Sequence, residues 1–377
     1  MERLDLTPRP GWEELVEQYG MTYHTIDGET YWDESACYRF TTAEIDTLDQ
    51  ATTELQRLCV EAAEKIIRDR LFHRLEIPER FIPDIVASWD RDDPSLYGRF
   101  DLAYDGASPP KLLEYNADTP TSVLEASVVQ WFWLQDCFPE ADQFNSIHEK
   151  LIASWKEWPG RPERLLHFAC AADSAEDLGN LEYLRDTAIQ GGLETRLLFI
   201  NEIGWDEAAE RFVDLDDEPI SHLFKLYPWE WLVREEFSAY LSEARLRMIE
   251  PAWKMLLSNK GILPILWEMF PEHPNLLEAS TGNRPLTGDY VRKPLLSREG
   301  GNILIRRRGE WIGTGGTYGE EGHVYQRYVE LPCFDGNYPV IGSWIIGGET
   351  AGIGIREDIS EITTNGSRFI PHYFEES

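Results

Sequence analysis

The segment from Tyr97 to Ser127 constrains the fold of this chain most, because its pattern predicts a β-hairpin followed by a helix. Residues 99 to 104 alternate as a strand does, with aromatic and leucine side chains on one face. An Asp-Gly pair and two prolines supply a turn, and residues 111 to 116 predict the return strand. The same alternation places Leu113 on the apolar face of that strand and Leu112 on its polar face.

The second face of the predicted hairpin is polar. If Asp101 pairs with Glu114, Arg99 lies opposite Asn116 and the aromatic faces meet in a core. Two carboxylates and an amide oxygen are hard ligands, which Mg²⁺ prefers when it also keeps waters and substrate phosphates. An arginine beside them suits a phosphate that arrives with the metal and develops negative charge. The alternative is a solvated surface hairpin in which Arg99 pairs with Asp101 or Glu114.

A hydroxyl-rich turn at residues 119 to 122 leads into an apolar helical run from Val123 to Leu134. Ser122 and Glu125 have the spacing of a capping box. Because a helix N-terminus presents free N–H groups, we expect an anion site here. An ordinary helix cap is the alternative.

Two lysines lie near a glycine-rich loop in the C-terminal half. Lys293 falls on a predicted strand, residues 290 to 296, just before the loop 298–302. Glycines let backbone N–H groups approach phosphate oxygens, and a lysine adds a point charge. Lys260 falls in a loop before an apolar helix; the alternative for each lysine is an exposed surface charge. Residues 313 to 322 predict either a mobile lid or a plain hairpin loop.

These segments resemble the synthetase domain of glutathionylspermidine synthase, an ATP-grasp acid–amine ligase. The likeness keeps its order over most of the chain from about residue 10, and it is to bacterial stand-alone relatives that lack the fused amidase domain. The motifs that carry it are GRFD (Gly98 to Asp101), LEYNAD (Leu113 to Asp118), LSNKGILPILWEMFPEHPNLLEA (Leu257 to Ala279), YVRKPLLSREGGNI (Tyr290 to Ile303), VYQRYVELP (Val324 to Pro332) and SWIIGGETAGIGIRED (Ser343 to Asp358).

The resemblance implies one synthetase domain over residues 1–377, with an ATP-grasp-type fold of the α+β or α/β class. It places a mixed α/β layer around 160–230 and a C-terminal antiparallel sheet that clamps the nucleotide around 255–360. The residue patterns agree, since β-branched runs alternate with glycine-rich turns beyond residue 290. Elsewhere they predict helices at Thr42 to Leu75, Ala175 to Gln190 and Glu243 to Leu257, and strands at Leu165 to Ala172, Glu194 to Ile200 and His222 to Tyr227.

The resemblance also implies roles, position by position. Asp101, Glu114 and Asn116 match magnesium ligands, and Arg99 matches an arginine that stabilises the transferring phosphoryl group. The positions that match the ATP site are Arg99, Asp101, Lys260, Lys293, Gly300, Gly301, Gln326, Arg327, Tyr328 and Val329.

The substrate positions depart from the family in part. Thr119 and Thr121 stand where the family has serines near the acid substrate. Glu176 and Asp177 match an acidic pair near the amine and the acid, with simple helix capping as the alternative. Leu226 stands where the relative has a threonine that contacts glutathione, so the sequence leaves the identity of the acid open.

The implied function is an ATP- and Mg²⁺-dependent acid–amine ligase, with one or two magnesium ions. ATP phosphorylates the acid, and an amine attacks the acyl phosphate to form an amide, releasing ADP and phosphate. The implied small-molecule partners are a peptide-like acid, such as glutathione, and a polyamine, such as spermidine. Alternatives are an ATP-binding sensor or scaffold without ligase activity and a metal-dependent hydrolase.

The amino-acid composition limits the classes of binding partner and indicates the cellular compartment. A net charge of −33 argues against nucleic acid or anionic membrane and suits capture of a cationic small molecule, although solubility explains it equally well. No leader and no long apolar run is evident, and five cysteines without a CxxC pattern suggest reduced thiols, so we expect a cytoplasmic protein. The sequence lacks zinc-type histidine spacing, a P-loop and a serine hydrolase elbow.

Overall fold

The structure is a computed structural model that describes residues 1–162, 165–242, 246–282 and 285–375. The strands are β1 (Glu2–Asp5), β2 (Thr25–Ile26), β3 (Glu29–Thr30), β4 (Ala36–Thr41), β5 (Tyr97–Ala103), β6 (Lys111–Asn116), β7 (Leu166–Cys170), β8 (Thr195–Phe199), β9 (Gly204–Asp206), β10 (Arg211–Val213), β11 (His222–Leu226), β12 (Arg247–Ile249), β13 (Ala279–Thr281), β14 (Tyr290–Pro294), β15 (Leu304–Arg307), β16 (Glu310–Gly313), β17 (His323–Arg327), β18 (Tyr338–Ile346), β19 (Glu349–Asp358), β20 (Arg368–Ile370) and β21 (His372–Glu375). The α-helices are α1 (Trp12–Gln18), α2 (Thr42–Arg68), α3 (Ile82–Asp90), α4 (Gln130–Cys137), α5 (Ile147–Lys156), α6 (Ala175–Gln190), α7 (Trp229–Leu232), α8 (Met255–Ser258) and α9 (Ile262–Met269).

The predicted hairpin is strands β5 and β6, which form one edge of a five-stranded sheet in the order β20-β19-β18-β5-β6. The expected register is confirmed, with Asp101 opposite Glu114 and Arg99 opposite Asn116. The apolar face is also confirmed, because buried Phe100 stacks on a buried tyrosine of β6, with ring centroids 3.9 Å apart.

The alternation breaks at one point of the hairpin. A register shift between Asp101 and Leu102 places Leu112 opposite Leu102, so both leucines are buried in the core. Leu113 instead lines a cleft on the polar side. The predicted faces of Leu112 and Leu113 were therefore wrong, because the extra residue of a bulge moves side chains to the opposite face.

The middle of the chain forms a four-stranded sheet in the order β12-β11-β7-β8, in which every neighbouring pair is parallel. The βαβ unit β7-α6-β8 is confirmed, and α6 has its predicted bounds. The helix predicted over 243–257 is wrong for residues 247 to 251 and confirmed only in its last part, since residues 252 to 257 are helical. Residues 247 to 249 pair with β11 as a strand, and helical structure begins only after Pro251, which disfavours a helix before it. Residues 243–245 lie outside the described part of the chain.

The C-terminal sheet has the order β13-β17-β14-β15-β16 and is antiparallel throughout, as predicted. It joins the hairpin through side-chain donors. Lys293 Nζ donates to the Leu113 carbonyl at 2.8 Å, and Gln326 Nε2 donates to the Leu112 carbonyl at 2.9 Å. The sheet therefore packs beside the polar face of the hairpin.

Helix α2 packs across the large core and ends earlier than predicted. It begins with a capping box between Thr41 and Glu44 and ends at Arg68, because Arg70 takes a left-handed φ of 55°. A 3₁₀ turn, Leu71–Leu75, completes the segment. Among the described helices, none combines the length and apolar character that a bilayer crossing needs.

Candidate active site

The polar face of the hairpin holds a fixed arginine. Arg99 Nε donates to Asp101 Oδ1 at 2.8 Å, and its Nη1 donates to the Thr121 carbonyl at 2.7 Å. Asn116 Nδ2 donates to Asp101 Oδ2 at 3.0 Å, and the Arg99 guanidinium lies 5.8 Å from the ring centre of buried Trp344. The pairing of Arg99 with Asp101 does occur. It lies on a mostly buried face, however, because the two side chains are only 14% and 16% exposed.

Glu114 faces two buried lysines, so the surface-charge alternative for both lysines is wrong. Lys260 Nζ lies 3.1 Å from Glu114 Oε2 and donates to the Ser297 carbonyl at 2.7 Å. Burial would raise the pKa of Glu114, but the charges of Lys260, Lys293 and Arg99 hold that pKa at about 2. Burial lowers the pKa of Lys293 to about 8, against the opposing charge of Glu114. Two buried cations with one carboxylate between them are suited to binding an anion.

The hairpin and the C-terminal sheet enclose a narrow cleft with a cavity volume of about 90 Å³. Ligand sites for drug-sized molecules are several hundred Å³, so a nucleotide requires the two walls to move apart. Eight of the residues that the sequence assigned to ATP or metal line this cleft: Asp101, Glu114, Lys293, Gly300, Gln326, Arg327, Tyr328 and Val329.

Several of these side chains already have partners in the protein. Arg327 pairs with Glu278, and the Tyr328 hydroxyl contacts Glu361, so both side chains are held at the rim. At Gly300, φ is 67° and an added Cβ would lie 2.4 Å from a backbone oxygen, which only glycine avoids. The loop after β16 docks on this glycine loop, and whether it acts as a lid stays a prediction.

The loop after β6 lies beside the cleft. Thr119 is buried, and its Oγ1 has no hydrogen-bond partner among the described residues. Arg298 Nη2 lies 3.4 Å from the Thr119 carbonyl, and the Arg298 guanidinium lies 5.7 Å from the ring centre of Trp231. Sequence reasoning did not assign Arg298 a role, although its position at the start of the glycine loop was a usable signal.

The acidic pair at the start of α6 is not its cap. Ser174 Oγ accepts from the Asp177 backbone N–H at 3.1 Å and supplies that cap. Burial and the charge of Glu176 raise the pKa of Asp177 to about 6, against the lowering effect of Arg298. A carboxylate favoured mainly by the helix dipole would have a lowered pKa instead. At Asp177, burial and the neighbouring charge therefore outweigh the helix dipole.

The helix after the hairpin is capped from a distance. Asn180 Oδ1 accepts from the backbone N–H groups of Val123 and Leu124, at 2.9 and 3.4 Å. Ser122 has a φ of 70° and makes no capping hydrogen bond of the predicted kind, and Glu125 Oε1 accepts from the Tyr31 hydroxyl. The predicted capping box is wrong. The anion site at these N–H groups is wrong too, because Asn180 occupies them.

Glu125 is a buried carboxyl that the sequence patterns did not single out for chemistry. It is fully buried, and its Oε2 has no partner among the described residues. Burial, and then the charge of Glu176, raise its pKa to about 7. It begins a π-helical turn, Glu125–Val129, a feature common at functional sites.

Asp118 ties the loop after β6 to the parallel sheet. Its Oδ1 lies 2.6 Å from Lys225 Nζ, and its Oδ2 accepts from the Trp229 backbone N–H at 2.7 Å. Lys225 also donates to the Tyr227 carbonyl at 3.1 Å, and both charged side chains are buried. A buried pair of this kind fixes the loop against the ends of β11 and α7.

Few side chains in the site could act as ligands for a metal ion. Within the described ranges, no group of three or more His, Cys, Asp or Glu side chains is placed to hold a metal ion. Asp101, Glu114 and the Asn116 amide supply hard oxygen atoms on one face. They fit a magnesium ion that arrives with phosphates and keeps several waters, rather than an ion enclosed by protein ligands.

Comparison with known proteins identifies the family. The profile described as "Glutathionylspermidine synthase preATP-grasp" matches residues 3–375. A Haemophilus influenzae protein named "Putative acid--amine ligase" is 43% identical, over 97% of both chains. The Escherichia coli bifunctional glutathionylspermidine synthetase/amidase is 30% identical over 89% of this chain, which matches 58% of that longer protein.

A solved structure shows the same fold. The glutathione synthetase-like effector GSS30 from Globodera pallida, in its apo form, superposes with a TM-score of 0.58 at 11% identity, over 97% of this chain and 96% of that one. This chain therefore shares the fold of that glutathione synthetase-like protein. The chain belongs to the glutathionylspermidine synthase family of carbon–nitrogen ligases.

Proposed function

We propose that this enzyme uses ATP and magnesium to join a carboxylic acid to an amine through an acyl phosphate, releasing ADP and phosphate. The observation that supports this most is the cleft, where the hairpin carboxylates and Lys293 meet residues 326 to 329, which match ATP-site positions of the family. A metal-dependent hydrolase needs carboxylates but has no use for two buried lysines beside them.

Lys260 and Lys293 would hold the phosphates. Each is buried, and each donates to a backbone carbonyl, so its ammonium is positioned before a ligand arrives. Preorganised charges of this kind lose little on reorganisation and therefore stabilise bound anions well. Asp101, Glu114 and Asn116 would hold the magnesium, which neutralises phosphate charge.

Arg99 would act on the transferring phosphoryl group. Its contacts to Asp101 and the Thr121 carbonyl fix the guanidinium between the metal ligands and the substrate loop. Phosphoryl transfer depends mainly on positioning and on charge stabilisation, so no protein nucleophile is required.

The acid and the amine would enter from the side of α6. Thr119, with its unpartnered hydroxyl, and Thr121 would contact the acid, and Glu176 and Asp177 would attract the cationic amine. Glutathione or another peptide-like acid, and a polyamine such as spermidine, are the candidates suggested by the names of the relatives. We also propose that the chain works as a single synthetase domain in the cytoplasm.

The test is ADP release, measured over a matrix of peptides and amines with magnesium. We expect ADP to form only when ATP, an acid and an amine are all present, and mass spectrometry to detect the amide. ADP release that ignores both added substrates would indicate an ATPase, and ATP binding without turnover across the matrix would indicate a sensor.

A further inference from the structure

A second cavity lies at the carboxyl ends of the parallel strands, with a volume of about 470 Å³. Its lining includes Ala172 and Asp173 after β7, Ile200 after β8, Tyr227 after β11 and Met248 of β12. Ligands of α/β sheets bind at this edge. None of the residues proposed above to contact ATP, magnesium, the acid or the amine lines this cavity.

The interior of the cavity is hydrocarbon. Phe212, Ile220 and Leu223 line it and belong to a separate buried apolar cluster, where each is at most 5% exposed. A charged nitrogen placed against these walls would lose its hydration without gaining a partner. The interior therefore suits an uncharged alkyl or aryl chain.

The rim of the cavity is acidic. Asp173, Glu235 and Glu236 are among the described residues that line it. No Lys, Arg or His is among those described lining residues. The Tyr227 hydroxyl donates to Glu235 Oε1 at 2.5 Å and holds that carboxylate at the rim. This charge pattern repels a carboxylate substrate and attracts an ammonium group.

The cavity adjoins the proposed acid site. Tyr227, in its wall, packs edge-on against Trp231, with ring centroids 5.6 Å apart. Trp231 lies under Arg298, whose guanidinium reaches the Thr119 carbonyl. Two side chains therefore separate the cavity wall from the loop that would hold the acid.

We propose that this cavity binds the hydrocarbon chain of the amine substrate, so that the preferred amine has one ammonium group near the acidic rim and an apolar tail inside. The inference rests on the proposed ligase function and narrows its amine from polyamines to amines with an uncharged alkyl or aryl segment. Such a tail gains binding by leaving water, whereas a second charge at its far end would lose hydration.

The test is isothermal titration calorimetry without ATP, using a series of straight-chain 1-aminoalkanes and the α,ω-diamines of equal length. We expect the affinity of the monoamines to rise about fourfold per added methylene until the cavity is filled. The matching diamines and spermidine should bind more weakly. An affinity that does not change with chain length, or tighter binding of the diamines, would overturn the inference.

Two matched variants test whether the dependence of affinity on chain length arises in this cavity. Ala172→Phe places a ring at the exposed rim of the cavity, and Ala208→Phe places one at an exposed position outside it. We expect the first to abolish the chain-length dependence and the second to preserve it; the same dependence in both would contradict the assignment. Because binding is measured without ATP, a failure of ADP release refutes the ligase function without altering this result.

Discussion

Glu125→Gln should stabilise the protein in a pH-dependent manner. Folding raises the pKa of this carboxyl from 4.5 to about 7. Such a group contributes its full stability below pH 4.5, and this is lost as the pH rises to about 7. This difference in pKa corresponds to about 3 kcal/mol of folding stability lost above pH 7. Glutamine cannot ionise, and it keeps an oxygen that can accept from Tyr31, so the variant escapes this cost.

The expected shift is measurable by thermal unfolding. With an unfolding entropy of about 2 cal/mol/K per residue over 377 residues, 3 kcal/mol corresponds to a rise of about 4 °C in Tm. We expect that rise at pH 8 and little difference between variant and wild type at pH 4.5. Glu140→Gln, at an exposed position, is the control and should show neither effect. An advantage of the same size at both pH values would refute the reasoning, because it could not come from ionisation.

Four further predictions concern the proposed reaction. Glu114→Gln should remove most magnesium-dependent ADP release while the protein stays folded by circular dichroism; near-normal turnover would exclude this residue as a metal ligand. Arg99→Ala should lower kcat by about 10²–10³-fold with little change in ATP affinity, and a loss of affinity with kcat preserved would make it a ground-state anchor. Glu176→Gln should raise the KM for the amine more than that for the acid, and an equal effect on both would argue against an amine contact. Asp118→Asn should weaken the use of acid and amine together, because it loosens the loop and leaves Lys225 buried without its charge partner; a loss confined to Tm would mean that the pair is only structural.

The structural elements that the sequence predicted correctly are those determined by residues close to them in the chain. The hairpin followed from the two-residue alternation around Phe100 and from a glycine turn, and the register assumed for it is the one observed. The end of helix α6 followed from the two glycines after Gln190. Such signals lie within a few residues of the structure that they determine.

The features that the sequence did not predict depend on contacts between residues far apart in the chain. The bulge beside Asp101 moves Leu113 toward a lysine 180 residues away, and the cap of Val123 comes from an asparagine 57 residues away. Strand β12 forms by pairing with β11, and no pattern within residues 247 to 249 predicts that pairing. The burial of Lys260 could not be inferred for the same reason, since its ion pair joins two separate segments.

The buried bridge from Asp118 to Lys225 has a thermodynamic consequence for how the binding of one substrate affects the affinity for the other. Lys225 connects the loop proposed to hold the acid with the Tyr227 carbonyl, in the wall of the apolar cavity. If a ligand on one side stiffens this bridge, it must alter affinity on the other side. Linkage then requires the effect to be reciprocal and of the same factor in both directions. The bridge would thus give the acid and the amine a mutual dependence without any direct contact between the two molecules.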